Sequence, residues 1–139
     1  MSEVPNRNSN AEIARPRIVI KASQHARLTD LAENARRQGL PVADFLLEEL
    51  SRAHIVADDA SSPYVVQMGS HVTYTDDVAG RTHRVSVVYP AEANIDENRV
   101  SVLTPVGAAL IGMSPAQCIH WRDPDGRTRI LTVLDVRSS

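Results

Sequence analysis

The stretch that decides the fold is RVSVLTPVGAALIGM, residues 99–113. Its first half alternates apolar and polar residues, which is typical of a strand buried on one face. Thr104 and Pro105 then favour the start of a helix, because threonine can cap a first turn and proline suits the first helical position. Gly107 and Gly112 limit that helix to one or two turns. The stretch therefore predicts a strand, a tight corner and a short helix that packs against a sheet.

Strand patterns recur on both sides of this stretch. They lie at residues 65–66, 71–75, 82–89, 117–121 and 128–136. Residues 76–80 begin with Asp and end with Gly, and therefore predict a tight hairpin loop. Residues 123–126 read Asp-Pro-Asp-Gly, which fits a type I turn between two more strands. We expect four to six mostly antiparallel strands with one short helix on a face.

The amino-terminal half predicts two helices. Ser23 is a good N-cap, and apolar residues follow at helical spacing until Gly39, which is a natural helix stop. Pro41 suits the first position of a second helix that runs to about His54. Two helices of about 20 Å each, joined by a tight connection, predict a short antiparallel hairpin of coiled-coil type.

Composition shifts divide the chain into four parts. Residues 1–16 are polar and predict a disordered leader, and residues 17–56 hold the helical hairpin. Residues 57–63 have linker composition, and residues 64–139 form the β domain. The predicted fold class is therefore α+β.

Length and charge restrict the class of protein. A chain of 139 residues, 42% of them hydrophobic, can bury a modest core. A net charge of -2 and a pI near 6.2 argue against a nucleic-acid-binding protein, which usually carries a basic face. The single cysteine, Cys118, fits a reducing compartment, and we find neither a signal peptide nor a membrane segment. We expect a cytoplasmic monomer whose partner is a protein.

The residues that could perform chemistry are scattered. The five histidines lack metal-ligand spacing, and His120 shares only one side of a strand with Cys118. Pairs of acids occur at residues 58–59, 76–77 and 96–97, all of them in predicted loops. Loop carboxylates are too solvated for acid–base work. The sequence predicts no enzyme, no metal site and no cofactor.

Several motifs in order carry a family resemblance. SVLTPVGAALIGM (101–113), followed by TVLDV (132–136), resembles the carboxy-terminal domain of the GreA/GreB transcription-factor superfamily. VVYPAEA (87–93) and GLPVADFLLEEL (39–50) are similar to its Rnk branch, the regulators of nucleoside diphosphate kinase. The resemblance spans about residues 17–136. It implies a helical hairpin joined to an FKBP-like domain.

The resemblance also implies a partner and separates docking from catalysis. In Gre factors the hairpin enters the secondary channel of RNA polymerase, and acids at its tip help to hold a catalytic Mg²⁺. Here Asp44 is the only acid near the tip, beside Arg36, Arg37 and Leu40, and the hairpin is shorter. We therefore expect a non-catalytic polymerase-binding regulator that competes with Gre factors.

The polymerase contact that the resemblance implies lies at the corner. Gre factors dock on the channel rim through an Asp-Ser-Pro strand-to-helix corner, which corresponds here to Leu103, Thr104 and Pro105, followed by Val106. This chain keeps the hydroxyl and the proline but has leucine in place of the acid. The alternative is that Thr104 and Pro105 only begin a helix.

Two other functions stay open at this point. An FKBP-like domain suggests a peptidyl-prolyl isomerase, which needs an aromatic-lined pocket. The β domain offers only Tyr64, Tyr74, Tyr89 and Trp121 for one. The family name also allows a protein that acts directly on nucleoside diphosphate kinase.

Overall fold

The chain enters the fold through a short strand that leads directly into a helical hairpin. The computed structural model describes residues 15–122 and 125–138. The first elements are β1 (Val19–Lys21), α1 (Ala22–Arg37), α2 (Ala43–Arg52) and β2 (His54–Val56). β2 pairs in parallel with β1, with Val19 opposite His54. The chain therefore enters and leaves the hairpin at the same place.

Three predicted helix boundaries were wrong, two of them because distant groups decide where the helix begins or ends. α1 begins at Ala22, one residue before the predicted cap, and the backbone N–H of Ser23 donates to Asp58 Oδ1 (3.1 Å). α2 begins at Ala43 and not at Pro41, because a turn closed from Ala43 N–H to Leu40 O comes first. α2 ends at Arg52, since the next residues join the strand pair with β1.

The connection between the helices confirms Gly39 as the helix stop. Gly39 has φ +77°, in the left-handed region that glycine adopts without strain. Its N–H donates to Arg36 O, and the N–H of Leu40 donates to Ala35 O, both at 3.0 Å. These two bonds form a Schellman motif, which satisfies carbonyl groups at the end of α1.

The carboxy-terminal half forms a five-stranded sheet. Its strands are β3 (His71–Asp76), β4 (Arg81–Val88), β5 (Arg99–Ser101), β6 (Cys118–Arg122) and β7 (Thr128–Arg137). Their spatial order is β5-β4-β3-β7-β6, and all pairs are antiparallel except β4 with β5. Helices followed by a curled sheet confirm the α+β class.

The structure differs from the predicted sheet at residues 65–66. Val65 and Val66 do not form a strand; Val66 instead bonds through its N–H to Met113 O and through its C=O to Gly112 N–H, both at 2.9 Å. The Asp-Pro half of the predicted 123–126 turn lies outside the described residues, while β6 and β7 flank it as an antiparallel pair.

A short helix, α3 (Pro105–Leu110), lies between the sheet and the hairpin. A Cβ on Gly107 would collide with the backbone oxygen of Ser101, at the end of β5. A Cβ on Gly112 would lie 2.8 Å from Cβ of Ile18, and the N–H of Val19 donates to Gly112 O (3.0 Å). The two glycines therefore allow this segment to contact both halves of the chain at backbone distance.

Both halves contribute to a single apolar core. Its fully buried members include Leu28, Leu46, Leu110, Met113, Trp121, Leu131 and Val133. They come from both hairpin helices, from α3 and its exit, and from β6 and β7. The hairpin therefore packs on the sheet. In the part of the chain that the structure describes, no helix is long and apolar enough to cross a membrane.

A stack of aromatic rings joins the hairpin to the sheet close to the hairpin tip. Phe45, in the first turn of α2, stacks on Trp121 of β6 with ring centroids 5.9 Å apart. Arg15 lies 4.9 Å over the Phe45 ring, and Arg129 lies 5.7 Å over the Trp121 ring. Such ring and cation–π contacts stabilise beyond the burial of area alone. They hold the start of α2, and with it the tip, against the sheet.

A buried carboxylate ties the segment before β1 to α2. Glu49 is fully buried and accepts two bonds from Arg52, at 2.6 and 3.0 Å, and one from Arg15 at 3.3 Å. Arg52 also donates to Pro16 O (2.6 Å). A buried acid needs such partners, because an unpaired buried charge is strongly destabilising.

The aromatic stack should contribute measurably to stability. We expect Phe45→Leu to lower the free energy of unfolding by about 1–2 kcal/mol, because the ring contact and the cation contact with Arg15 are both lost. Urea unfolding followed by the fluorescence of the single tryptophan measures this. Leu47→Met, an apolar exchange on the same helix, is the control. An equal loss in both variants would contradict a stabilising role for the stack.

Asp58 should make stability depend on pH. Hydrogen bonds from the Ser23 hydroxyl and N–H hold the pKa of Asp58 below its usual value. Its contribution is therefore complete above the unfolded pKa near 3.9 and is lost as pH falls through the lower folded pKa. We expect Asp58→Asn to flatten the fall in Tm between about pH 5 and pH 3. Asp59→Asn, which removes the neighbouring exposed acid, should keep the wild-type slope. If both variants follow one curve, the cap has no such role.

Candidate functional site

The corner between β5 and α3 is locked by its own hydrogen bonds. The hydroxyl of Thr104 donates to Ser101 O (2.7 Å) and accepts from the N–H of Gly107 (3.1 Å). The N–H of Leu103 donates to Ser101 Oγ (3.0 Å). This geometry confirms Thr104 as the N-cap and Pro105 as the first helical residue. Both functions of the Thr104 hydroxyl are thus engaged within the chain.

What the corner presents to a partner is mainly shape and apolar surface. Leu103, Thr104, Pro105 and Val106 are all half-buried. Leu103 and Val106 pack partly against the core, which restricts their side chains. A surface held in one conformation loses little entropy when it binds. The corner can therefore serve as a rigid apolar contact.

The hairpin tip carries a weak ion pair in place of a carboxylate cluster. Arg36 Nε lies 3.6 Å from Asp44 Oδ1, with side chains 68% and 80% exposed. Exposed pairs of this kind contribute about 0–1 kcal/mol. Arg37 and Leu40 are exposed beside them. Asp44 lies in the first turn of α2, where the helix dipole favours an acid.

The structure brings the two predicted sites onto neighbouring helices. α2 begins at the tip and packs against α3, which begins at the corner. Among the residues described, no group of three His, Cys, Asp or Glu side chains is placed to hold a metal ion. Cys118 and His120 are half-buried and lie on the side of β6 opposite the buried Ile119 and Trp121.

Sequence analysis missed a cleft on the outer face of the sheet. Its lining includes His71, Arg84, Arg99 and Arg137, which come from four different strands. The sequence places His71, Arg84 and Arg99 within predicted strands and Arg137 directly after one. Their proximity was not visible in the sequence, because it depends on the strand order β5-β4-β3-β7.

Family models match both parts of the chain. The model described as "Transcription elongation factor, GreA/GreB, C-term" matches residues 61–138. The model described as "Rnk N-terminus" matches residues 16–56. The first alone spans more than half of the 139 residues.

Individual relatives agree with these matches. The regulator of nucleoside diphosphate kinase of Escherichia coli (strain K12) is 36% identical over 124 residues, which cover 89% of this chain and 91% of the relative. Transcription elongation factor GreA of Chloroflexus aggregans is 32% identical over 133 residues, which cover 90% of this chain and 84% of the relative.

A solved structure shares the fold. The prokaryotic transcription elongation factor GreA/GreB from Nitrosomonas europaea superposes with a TM-score of 0.68 at 30% identity, covering 88% of this chain and 99% of that chain. The relatives are regulators and elongation factors, which supports a transcription-related regulator. The chain therefore belongs to the GreA/GreB transcription elongation factor family, and its amino-terminal part is of the Rnk type.

Proposed function

We propose that this chain is a non-catalytic transcription regulator that binds RNA polymerase at the entrance of the secondary channel and competes there with Gre factors. Family membership supports the transcription role. The resemblance to Gre factors supports the corner, Leu103 to Val106, as the polymerase contact. The proposal includes a cytoplasmic monomer without a cofactor, with a short coiled-coil hairpin on an FKBP-like domain.

The structure of the hairpin tip supports the proposal that the protein does not stimulate transcript cleavage. The Phe45–Trp121 stack holds the start of α2 against the sheet, so the tip does not stand on a long free arm. Mg²⁺ needs oxygen ligands at about 2.1 Å, and one or two of them are normally carboxylates. Asp44 is the only acid in the tip sequence, residues 36–44, and the Arg36 guanidinium already lies beside it. Arg36 and Arg37 would repel a divalent cation at close range.

The corner supports the docking part of the proposal. Its backbone is fixed by the bonds around Thr104, and Gly107 brings α3 directly onto Ser101. A partner would therefore meet one conformation of Leu103, Pro105 and Val106. Docking through apolar surface also agrees with a net charge of -2, which gives little general attraction to nucleic acid.

Transcript cleavage separates a regulator of this kind from a short-armed cleavage factor. We expect no acceleration above the intrinsic rate when the protein is added to a backtracked elongation complex, because the tip lacks a Mg²⁺ ligand set. Asp44→Ala should leave polymerase affinity within about threefold, as an exposed pair contributes little. Cleavage well above the intrinsic rate, abolished by Asp44→Ala, would contradict the proposal. A Gre factor in the same assay is the positive control.

The corner can be tested by competition for core polymerase. We expect the double variant Thr104→Arg and Pro105→Ala to lose about tenfold or more in affinity, because bulk and charge are placed at the contact. Thr104→Ser is the matched control: it keeps the hydroxyl and its two cap bonds and adds no bulk. Its affinity should stay within about threefold. An equal loss of polymerase affinity in the double variant and the control would contradict the corner as the contact. Binding that excess GreA does not displace would contradict it as well.

A second candidate is direct action on nucleoside diphosphate kinase, which the name of the 36% identical relative favours. Purified kinase assayed with and without the chain separates the two. An isomerase gains no support from the geometry. The cleft on the outer face of the sheet is lined mainly by polar residues, and a second, smaller cleft lies between the loop after β3 and the start of β7. Neither of these two clefts is lined by Tyr64, Tyr74, Tyr89 or Trp121.

A further inference from the structure

The outer face of the sheet carries a row of polar residues that lie in register across four strands. Arg99 of β5 pairs with Ser86 of β4, Ser86 with His71 of β3, and His71 with Arg137 of β7. Residues directly opposite one another share a face of the sheet. Here it is the face away from the apolar core, since the alternate residue Val72 is buried. The four side chains therefore line up on one solvent-facing surface.

A second row deepens this surface into a cleft of about 460 Å³. Arg84 lies opposite Thr73, and Thr73 lies opposite Asp135. Glu97 and Asn98 form a wall at the β5 end. That wall is held in place because Asn94 and Arg99 exchange two backbone hydrogen bonds, of 2.9 and 3.0 Å. The cleft has the volume of a small-molecule site, and its lining is mostly polar.

The charges in the cleft favour an anion. Arg99 pairs with Glu97 and Arg137 pairs with Asp135, each at 3.0 Å and each between well-exposed side chains two residues apart. Pairs of this kind contribute about 0–1 kcal/mol and exchange readily for a stronger partner. Arg84 makes no ion pair with any residue that the structure describes. The cleft therefore holds three guanidinium groups and two carboxylates, and the Arg84 guanidinium is the one without a carboxylate partner among the described residues.

The hydrogen-bonding groups match phosphate oxygens. Arginine offers a planar fork of donors that fits phosphate in bidentate fashion. Ser86 Oγ lies 2.8 Å from His71 Nδ1, and this bond orients both groups within the row. Adjacent strands are about 4.8 Å apart, so the row from β5 to β7 spans roughly 14 Å. That span exceeds one phosphate group and suits a chain of two or more.

We propose that this cleft binds a small molecule that carries two or more linked phosphate groups. Arg84, Arg99 and Arg137 supply the positive charge, and Ser86 and His71 supply hydrogen bonds between them. A nucleic acid is the less suitable polyanion, because the chain has a net charge of -2 and a pI near 6.2. The proposal is independent of polymerase binding, since the cleft shares no residue with the corner or the tip.

Titration of the full chain with inorganic pyrophosphate at low ionic strength tests the site. We expect saturable heat in calorimetry, and NMR amide shifts concentrated at residues 71, 84, 86, 99 and 137. Arg84→Gln and Arg99→Gln should each weaken binding about tenfold, as expected for the loss of a charge-assisted hydrogen bond. Arg37→Gln, at the hairpin tip, removes the same charge elsewhere and should change affinity less than about twofold.

Each alternative result overturns a stated part of the proposal. No saturation by about 5 mM pyrophosphate, or equal weakening by Arg37→Gln, would remove the site. Orthophosphate binding as tightly as pyrophosphate would exclude the requirement for two phosphate groups. Single-stranded RNA that displaces pyrophosphate, with a steep dependence on salt, would make the ligand a nucleic acid. Circular dichroism of both variants confirms that they fold.

Discussion

The backbone contacts of α3 are the constraint on which the rest of the structure depends. Gly107 lets the helix lie against Ser101 of the sheet, and Gly112 lets its exit lie against Ile18 and Val19 at the base of the hairpin. No side chain of any size fits at either point, so backbone atoms, which have no rotamers, set the spacing between the two halves. The corner, the core and the position of the hairpin all follow from this spacing. Overpacking at such a contact costs about 1–3 kcal/mol or more.

Local signals in the sequence predicted local structure well. The Thr104 cap, the helix stop at Gly39 and the hairpin after Asp76 are all confirmed. Each depends on residues within about five positions of one another, where backbone propensity dominates. Two of the three boundaries that failed depend on distant partners, while the start of α2 is displaced by the local turn from Leu40 to Ala43. Asp58 stabilises the start of α1 across 35 positions, and the end of α2 is set by the pairing of β2 with β1.

For the candidate site too, the local features could be predicted from the sequence and the long-range contacts could not. The sequence placed the corner correctly as a helix start, but it could not show that the Thr104 hydroxyl is used twice within the chain. It identified the tip as poor in acid. It could not show the contact that holds the tip, because that contact joins the only Phe and the only Trp of the chain, at residues 45 and 121. The outer cleft depends on strand order alone. Non-local geometry is therefore what sequence reasoning lacked.

The parallel pairing of β1 with β2 has a consequence for how such proteins diversify. Because Val19 lies opposite His54, the two chain ends of the hairpin are fixed side by side, independently of what lies between them. Matched turns inserted into α1 and α2 beyond Phe45 leave this base and the Phe45–Trp121 stack unchanged. The reach of the arm is thus a modular property. The same β domain can therefore carry hairpins of different length, and the length can change in evolution without any change at the β1–β2 base.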